Sequence, residues 1–370
     1  MSERVAFGIV GGYGATGRVV VSELCKSCTG KILIGGRDLA KGSALAAEFD
    51  GRVSAARVDV LDANSLDDFC SRSSLIVNCA SPVMVLRDRV AQAALRARCH
   101  YIDAASLSIV KERMLVHSRE IADLGLSFVI SAGWFPGISE ILPVYAEAQA
   151  RAKMDTIESL TVYFGDTGEW SGNAFQEAAW LIRQFGFRMR GYFRKGEWVR
   201  ANIFSASREV DVGGRIGLRH FYMFSTPELK EIGARLKDCD FFTYGCLPGL
   251  RTAIATTLIA SLPLPQDFGA RLLRNAFRKN RLPVGGFVMV QVRGLSQGRR
   301  VKLTARIVYE EHRDYWINGL VPTIVARMIS ESKGVETGLH YMASAVNPAA
   351  FMAELRKAGV EQTEIFEPLD

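Results

Sequence analysis

Along the first 150 residues, short unbroken apolar runs alternate with stretches whose apolar residues recur at helical spacing. Val5 to Val10 is such a run, followed by a glycine-rich segment and then a helical pattern. Lys31 to Ile34, Val53 to Val60, Leu75 to Ala80, Cys99 to Asp103 and Ser127 to Ser131 also read as strands. Leu39 to Phe49, Arg87 to Arg98 and Val110 to Leu124 read as helices between them. Continuous apolar strands separated by helices predict a parallel sheet covered on both faces, a doubly wound α/β Rossmann domain over residues 1–150.

Beyond Arg151 the pattern changes. Ile157 to Gly165, Phe187 to Val199, Arg208 to Val212, His220 to Phe224, Gly286 to Gly294 and Lys302 to Tyr309 predict a mostly antiparallel sheet. Helices over Asn173 to Phe185, Thr226 to Lys237, Thr252 to Leu262 and Phe268 to Arg278 make residues 151–318 an α+β domain. Residues 319–370, with helical patterns over Leu320 to Lys333 and Pro348 to Ala358, are expected to return as helices to the first domain.

The turn after the first strand carries the candidate chemistry. Gly12, Tyr13, Gly14, Ala15, Thr16 and Gly17 form a G-x-G-x-x-G between a strand and a helix, the arrangement that binds a dinucleotide. Gly12 is expected to permit the tight turn, Gly14 to admit a pyrophosphate and Gly17 to let the helix lie close, with phosphates at the helix N-terminus. The second strand ends in Gly36-Arg37 where an NAD enzyme carries an acid, so Arg37 predicts a 2′-phosphate partner and hence NADP(H). Asp38 is read as a helix N-cap. Asp59 is expected to accept from the adenine amino group, and Ala80, Ser81 and Pro82 to lie under the nicotinamide. Tyr101 and Asp103 share a strand face at the same edge. Trp134, in Gly133-Trp134-Phe135-Pro136-Gly137, is a candidate wall for a ring substrate.

Charge adds a partner to this picture. The 370 residues carry a net charge of +7, but Arg183 to Arg306 holds 23 Lys and Arg against 8 Asp and Glu, while the remainder is net negative. A basic body of this kind favours an anionic substrate or an acidic partner surface. No motif for nucleic acid accompanies it. No apolar run is long enough to span a bilayer, and seven scattered cysteines fit reduced thiols, so a cytoplasmic protein is expected. Cys25 and Cys28 form an isolated C-x-x-C, read as an incidental spacing rather than a metal site.

Taken in order, Gly12 to Gly17, Gly36-Arg37, Asn78-Cys79-Ala80-Ser81-Pro82, His100-Tyr101-Ile102-Asp103 and Gly133 to Gly137 resemble the saccharopine dehydrogenase-like oxidoreductases. The resemblance is detailed over Val5 to Ser139 and looser beyond. It implies nicotinamide-dependent reduction of a carbon–nitrogen double bond, and a homodimer. Within that family, length and charge are similar to the stand-alone thiazolinyl imine reductases of pyochelin-type siderophore assembly. Such an enzyme reduces a thiazoline tethered to an acidic carrier protein of a peptide synthetase. Saccharopine or opine-type dehydrogenation, trans-acting enoyl reduction and non-catalytic NADP(H) sensing stand as alternatives. For the proton, His220 is a candidate donor and shares a strand face with Tyr222, a substrate candidate. Asp166, in a Gly-Asp-Thr-Gly loop, and Tyr101 are the other candidate acids. Glu169, Trp170 and Asn173, at an expected helix start, are further substrate candidates.

Overall fold

The computed structural model describes residues 4–104, 107–168, 170–201, 206–214, 216–247, 249–278, 285–310 and 314–369. They divide into two compact units, Met1–Ile141 with Tyr315–Leu355, and Leu142–Asp314 with Arg356–Asp370.

Six parallel strands open the first unit: β1 (Val5–Val10), β2 (Ile32–Gly36), β3 (Val53–Arg57), β4 (Ser73–Asn78), β5 (His100–Asp103) and β6 (Ser127–Ile130). They stand in the order β6-β5-β4-β1-β2-β3. This reversal of direction at β1 is that of a doubly wound dinucleotide fold. Phe7, Ile9, Ile32, Leu33, Ile76, Val77 and Phe128 are buried, which explains why these strands read as continuous apolar runs rather than alternating ones. Register fixes the crevice. Val10 lies opposite both Gly35 and Asn78, so β1, β2 and β4 end level with one another. The chain leaves each of them into a turn at the same edge, where ligands of such sheets bind.

The second unit holds β7 (Thr156–Asp166), β8 (Gly191–Arg194), β9 (Glu197–Arg200), β10 (Ser207–Asp211), β11 (Leu218–Met223), β12 (Asp240–Cys246), β13 (Gly285–Ser296) and β14 (Arg299–Glu310). Its sheet runs β10-β11-β12-β7-β13-β14, antiparallel except where β12 lies parallel to β7. One face packs Tyr163, Phe221, Met223, Tyr244, Phe287 and Met289 into a cluster. A separate cluster of Phe175, Ala179, Ile259, Ala270 and Leu273 joins the helices Gly172–Phe185, Gly249–Ser261 and Gln266–Arg278.

Three expectations are corrected. Phe187 to Val199 is not one strand: a turn of 3-10 helix precedes the hairpin β8–β9, whose bend takes Lys195 and Gly196 to positive φ. β12, not among the expected strands, is a mixed polar and aromatic segment that becomes a strand by pairing with β7 and β11. The last fifty residues do not all return as helices. The helices Asp314–Ser330 and Pro348–Lys357 form, but β15 (Gly338–Tyr341) extends the first sheet beside β6, and β16 (Gln362–Pro368) pairs with β14 in the second. The units therefore interleave, with their boundaries at 141/142, 314/315 and 355/356 in place of those expected at 150 and 318.

Candidate functional site

The glycine turn is built by backbone collisions that only glycine avoids. Gly11, with φ +77°, reverses the chain after β1, so the tight bend belongs to Gly11 and not, as expected, to Gly12. Gly12 is required by packing, since a Cβ there would lie 2.6 Å from Ile34 Cγ2 on β2. At Gly17 a Cβ would lie 2.3 Å from the Gly11 carbonyl oxygen, which lets α1 (Ala15–Ser27) sit directly against the turn. Gly14 is the N-cap of α1 and no side chain caps that end. The first amides of α1, at Ala15, Thr16 and Gly17, are thus left without a side-chain acceptor at the positive end of the helix dipole. This cradle of uncapped amides fits the pyrophosphate of a dinucleotide.

Tyr13 closes the turn toward β2. A Cβ on Gly36 would lie 2.3 Å from Tyr13 Cε1, and the Asp38 amide donates to the Tyr13 hydroxyl at 2.9 Å. Asp38 caps the next helix by accepting from the Lys41 amide at 3.1 Å, so its carboxylate is engaged as a helix cap. Arg37, between them, is exposed. Asp59 lies just beyond β3 and accepts from the Leu61 amide at 3.0 Å.

Where β4 and β5 end, Asn78, Tyr101 and Asp103 form a buried polar knot. Asn78 Nδ2 donates to Asp103 Oδ2 at 3.0 Å and to the Tyr101 hydroxyl at 3.3 Å, while its Oδ1 accepts from the Ala80 amide at 3.1 Å. The Tyr101 hydroxyl also donates to Asp103. Burial first, and the Asp103 carboxylate next, push the Tyr101 hydroxyl well above its ordinary range. Tyr101 as a catalytic acid is therefore corrected: its proton is held inside the fold. What the knot does is orient Ala80. A Cβ on Gly11 would lie 3.0 Å from Ala80 N, so the phosphate turn and the expected nicotinamide edge pack backbone to backbone. Exposed Ser81 and half-buried Pro82 follow, joined by a cis peptide.

The Gly133 to Gly137 turn is also fixed by close approach: a Cβ on Gly137 would lie 2.0 Å from the Gly133 carbonyl oxygen. Trp134 is only 5% exposed. Its ring is packed into the fold, and the expectation of an open wall is corrected.

In the second unit, Asp166 ends β7 and its carboxylate accepts from the Tyr309 hydroxyl at 2.8 Å and the Gly168 amide at 2.7 Å. Two donors hold it as an acceptor, which suits a loop anchor and not an acid. His220 is exposed on β11, opposite Glu209, with its ring 4.9 Å from that of Tyr222. The strand β12 lies between β11 and β7, so His220 and Asp166 are on non-adjacent strands. Asn173 is in the first turn of its helix, whose N-cap is Ser171. Trp170 packs in tilted ring contacts against Phe277 at 4.9 Å and Phe175 at 5.5 Å. Glu169 lies outside the described residues.

Asn318, not among the expected site residues, has a carboxamide that bonds both Thr16 and the Trp134 amide. An asparagine inside an apolar-periodic helix beside a glycine, Asn318-Gly319, was the available signal. Among the described residues no group of His, Cys, Asp and Glu is placed to hold a metal ion, and no helix is long and apolar enough to cross a membrane.

Comparison with known proteins agrees with this geometry. Residues 7–129 match the family model described as the saccharopine dehydrogenase NADP binding domain. The carboxynorspermidine synthase of Vibrio cholerae is 23% identical over 244 residues, which are 60% of this chain and 58% of that protein's length. The fold is similar to that of the L-Glu-forming saccharopine dehydrogenase of Saccharomyces cerevisiae, with a TM-score of 0.70 at 13% identity, covering 98% of this chain and 100% of the other. Residues 7–129 are thus similar to a saccharopine dehydrogenase NADP-binding domain, and the chain binds a nicotinamide cofactor.

Proposed function

We propose that the chain is an NADPH-dependent reductase of a carbon–nitrogen double bond, and that its substrate is a thiazoline ring held on the phosphopantetheine arm of an acidic carrier protein in siderophore assembly. The observation that carries the reading to this substrate is the charge contrast, 23 basic against 8 acidic residues between Arg183 and Arg306. A carrier domain rich in carboxylates is steered and held by such a surface. The cytoplasm is the proposed compartment, and a homodimer the proposed assembly.

When bound, the nicotinamide supplies the hydride. The chain's own residues do the rest. The amides of Ala15, Thr16 and Gly17 bind the pyrophosphate, Arg37 binds the 2′-phosphate, and Asn78 holds Ala80 so that the Ala80–Pro82 edge orients the ring. Of the three acids offered by the sequence, His220 alone keeps an exposed, uncommitted ring, and we assign it the proton delivered to the imine nitrogen, with Tyr222 setting its orientation.

A second reading has one observation in its favour. The Vibrio cholerae relative is named for a carboxylated polyamine product, which fits a free imine formed from an amine and a carbonyl compound. NADPH oxidation by the full chain separates the two: turnover on a carrier-tethered thiazoline supports the first, turnover only on a free amine mixed with a carbonyl acid supports the second. Turnover of enoyl chains alone, or tight NADPH binding with no turnover on any of these, refutes both. His220→Gln is expected to lower kcat by about a hundredfold, the lower range for general acids; a change within about twofold moves the donor role to water.

A further inference from the structure

Asn318 lies in the helix Asp314–Ser330, some three hundred residues along the chain from the glycine turn. Its Oδ1 accepts from the Trp134 amide at 2.8 Å and its Nδ2 donates to Thr16 Oγ1 at 3.1 Å. The first bond fixes the second. A backbone N–H only donates, so the carboxamide oxygen must face Trp134 and the amino group must face Thr16. With that donor on its oxygen, the Thr16 hydroxyl keeps its own proton for another acceptor. Thr16 is the second residue of α1, at the end of the helix that receives phosphate.

The contact is built into the backbone on both sides. A Cβ on Gly319 would lie 2.9 Å from the Thr16 carbonyl oxygen and 2.6 Å from Val19 Cβ. A Cβ on Gly133 would lie 2.6 Å from Asn318 Oδ1 and 2.3 Å from the Ala104 carbonyl oxygen. Two glycines therefore clear the space in which one carboxamide spans from the phosphate turn to the Gly133–Gly137 turn.

We propose that Asn318 is a positioning residue for the dinucleotide: it aims the Thr16 hydroxyl proton at a pyrophosphate oxygen and couples occupancy of that site to the Gly133–Gly137 turn. This rests on the assignment of the cofactor to α1. Failure of wild type to bind NADPH would strike that assignment, whereas the outcomes below strike only the role of Asn318.

The test is calorimetric titration of NADPH into full-length wild type, Asn318→Ala, Asn318→Asp, Thr16→Val and the Thr16→Val/Asn318→Ala double variant, with hydrogen exchange of residues 133–139 measured with and without NADPH. Asn318→Ala is expected to weaken binding about tenfold. Asn318→Asp is expected to weaken it further, although it retains the acceptor for Trp134 and so the fold, because its carboxylate claims the Thr16 proton. In the Thr16→Val background the Asn318→Ala change is expected to add less than about twofold. NADPH is expected to slow exchange at 133–139 in wild type and not in Asn318→Ala. Wild-type affinity in Asn318→Asp, full additivity of the two losses, or undiminished protection in Asn318→Ala overturns the proposal.

Discussion

The two sheets of this protein carry their candidate chemistry in different ways. At the carboxyl edge of the first, the turns at 11–17, 78–82 and 133–137 are held by backbone contacts too tight for a Cβ and by a buried knot of Asn78, Tyr101 and Asp103. In the second, Asp166 and His220 stand on strands separated by β12, one tied to Tyr309 and the other exposed. The first is a preorganised edge that fits a nicotinamide dinucleotide; in the second, on the proposed reading, specificity would rest with individual side chains.

The sharpest way to break this contrast is Gly17→Val. Its Cβ would meet the Gly11 carbonyl oxygen at 2.3 Å, and separating α1 from the turn costs about 3 kcal/mol, the upper range for overpacking. Calorimetry is expected to show NADPH affinity lowered by about a hundredfold or more, and unchanged affinity would mean that the turn is not the phosphate site. Arg37→Ala comes next. Losing a charge-assisted phosphate contact is expected to weaken NADPH about tenfold and leave NADH unchanged. Equal losses for both would refute the 2′-phosphate contact.

Asp166→Asn probes the second sheet. An asparagine oxygen still accepts from the Tyr309 hydroxyl, so kcat is expected to stay within about twofold, against the hundredfold or greater fall that loss of a catalytic acid produces. A fall of that size would restore Asp166 as the donor. The smallest effect concerns His100, whose Nδ1 accepts from the Ser127 amide at 3.1 Å and whose pKa burial lowers below the ordinary 6.5. The unfolded chain then takes up a proton that the folded chain refuses, so this contribution is complete above 6.5 and is lost as the pH falls below it. Between about pH 7.5 and about pH 5.5 the Tm of wild type is expected to fall more than that of His100→Gln. Parallel curves for the two would show that His100 does not set this dependence.

The same contrast explains how much was legible in the sequence. Gly11 to Gly17 and the apolar runs of β1, β2, β4 and β6 announced the first sheet, because glycine collisions and two-sided burial leave a local signature. The bend was still assigned to Gly12 instead of Gly11, since either glycine satisfies the spacing and only φ distinguishes them. Tyr101 and Asp103 read as a polar pair at the right edge, but the hydroxyl donates into the carboxylate, a fact set by the neighbouring strand through Asn78. In the second unit β12 and β16 escaped notice because pairing partners distant in the chain, and not periodicity, make them strands. Asn318 was hidden for the same reason: its two partners lie 302 and 184 residues away.

The central claim is that the uncapped amides at the N-terminus of α1 receive the pyrophosphate of NADP(H). It is tested most directly by titrating NADPH into the full-length protein by calorimetry, with 2′,5′-ADP as competitor. Saturable one-to-one binding in the micromolar range, displaced by 2′,5′-ADP, is the expected result. No saturable heat with NADPH or NADH at millimolar concentration would contradict the account.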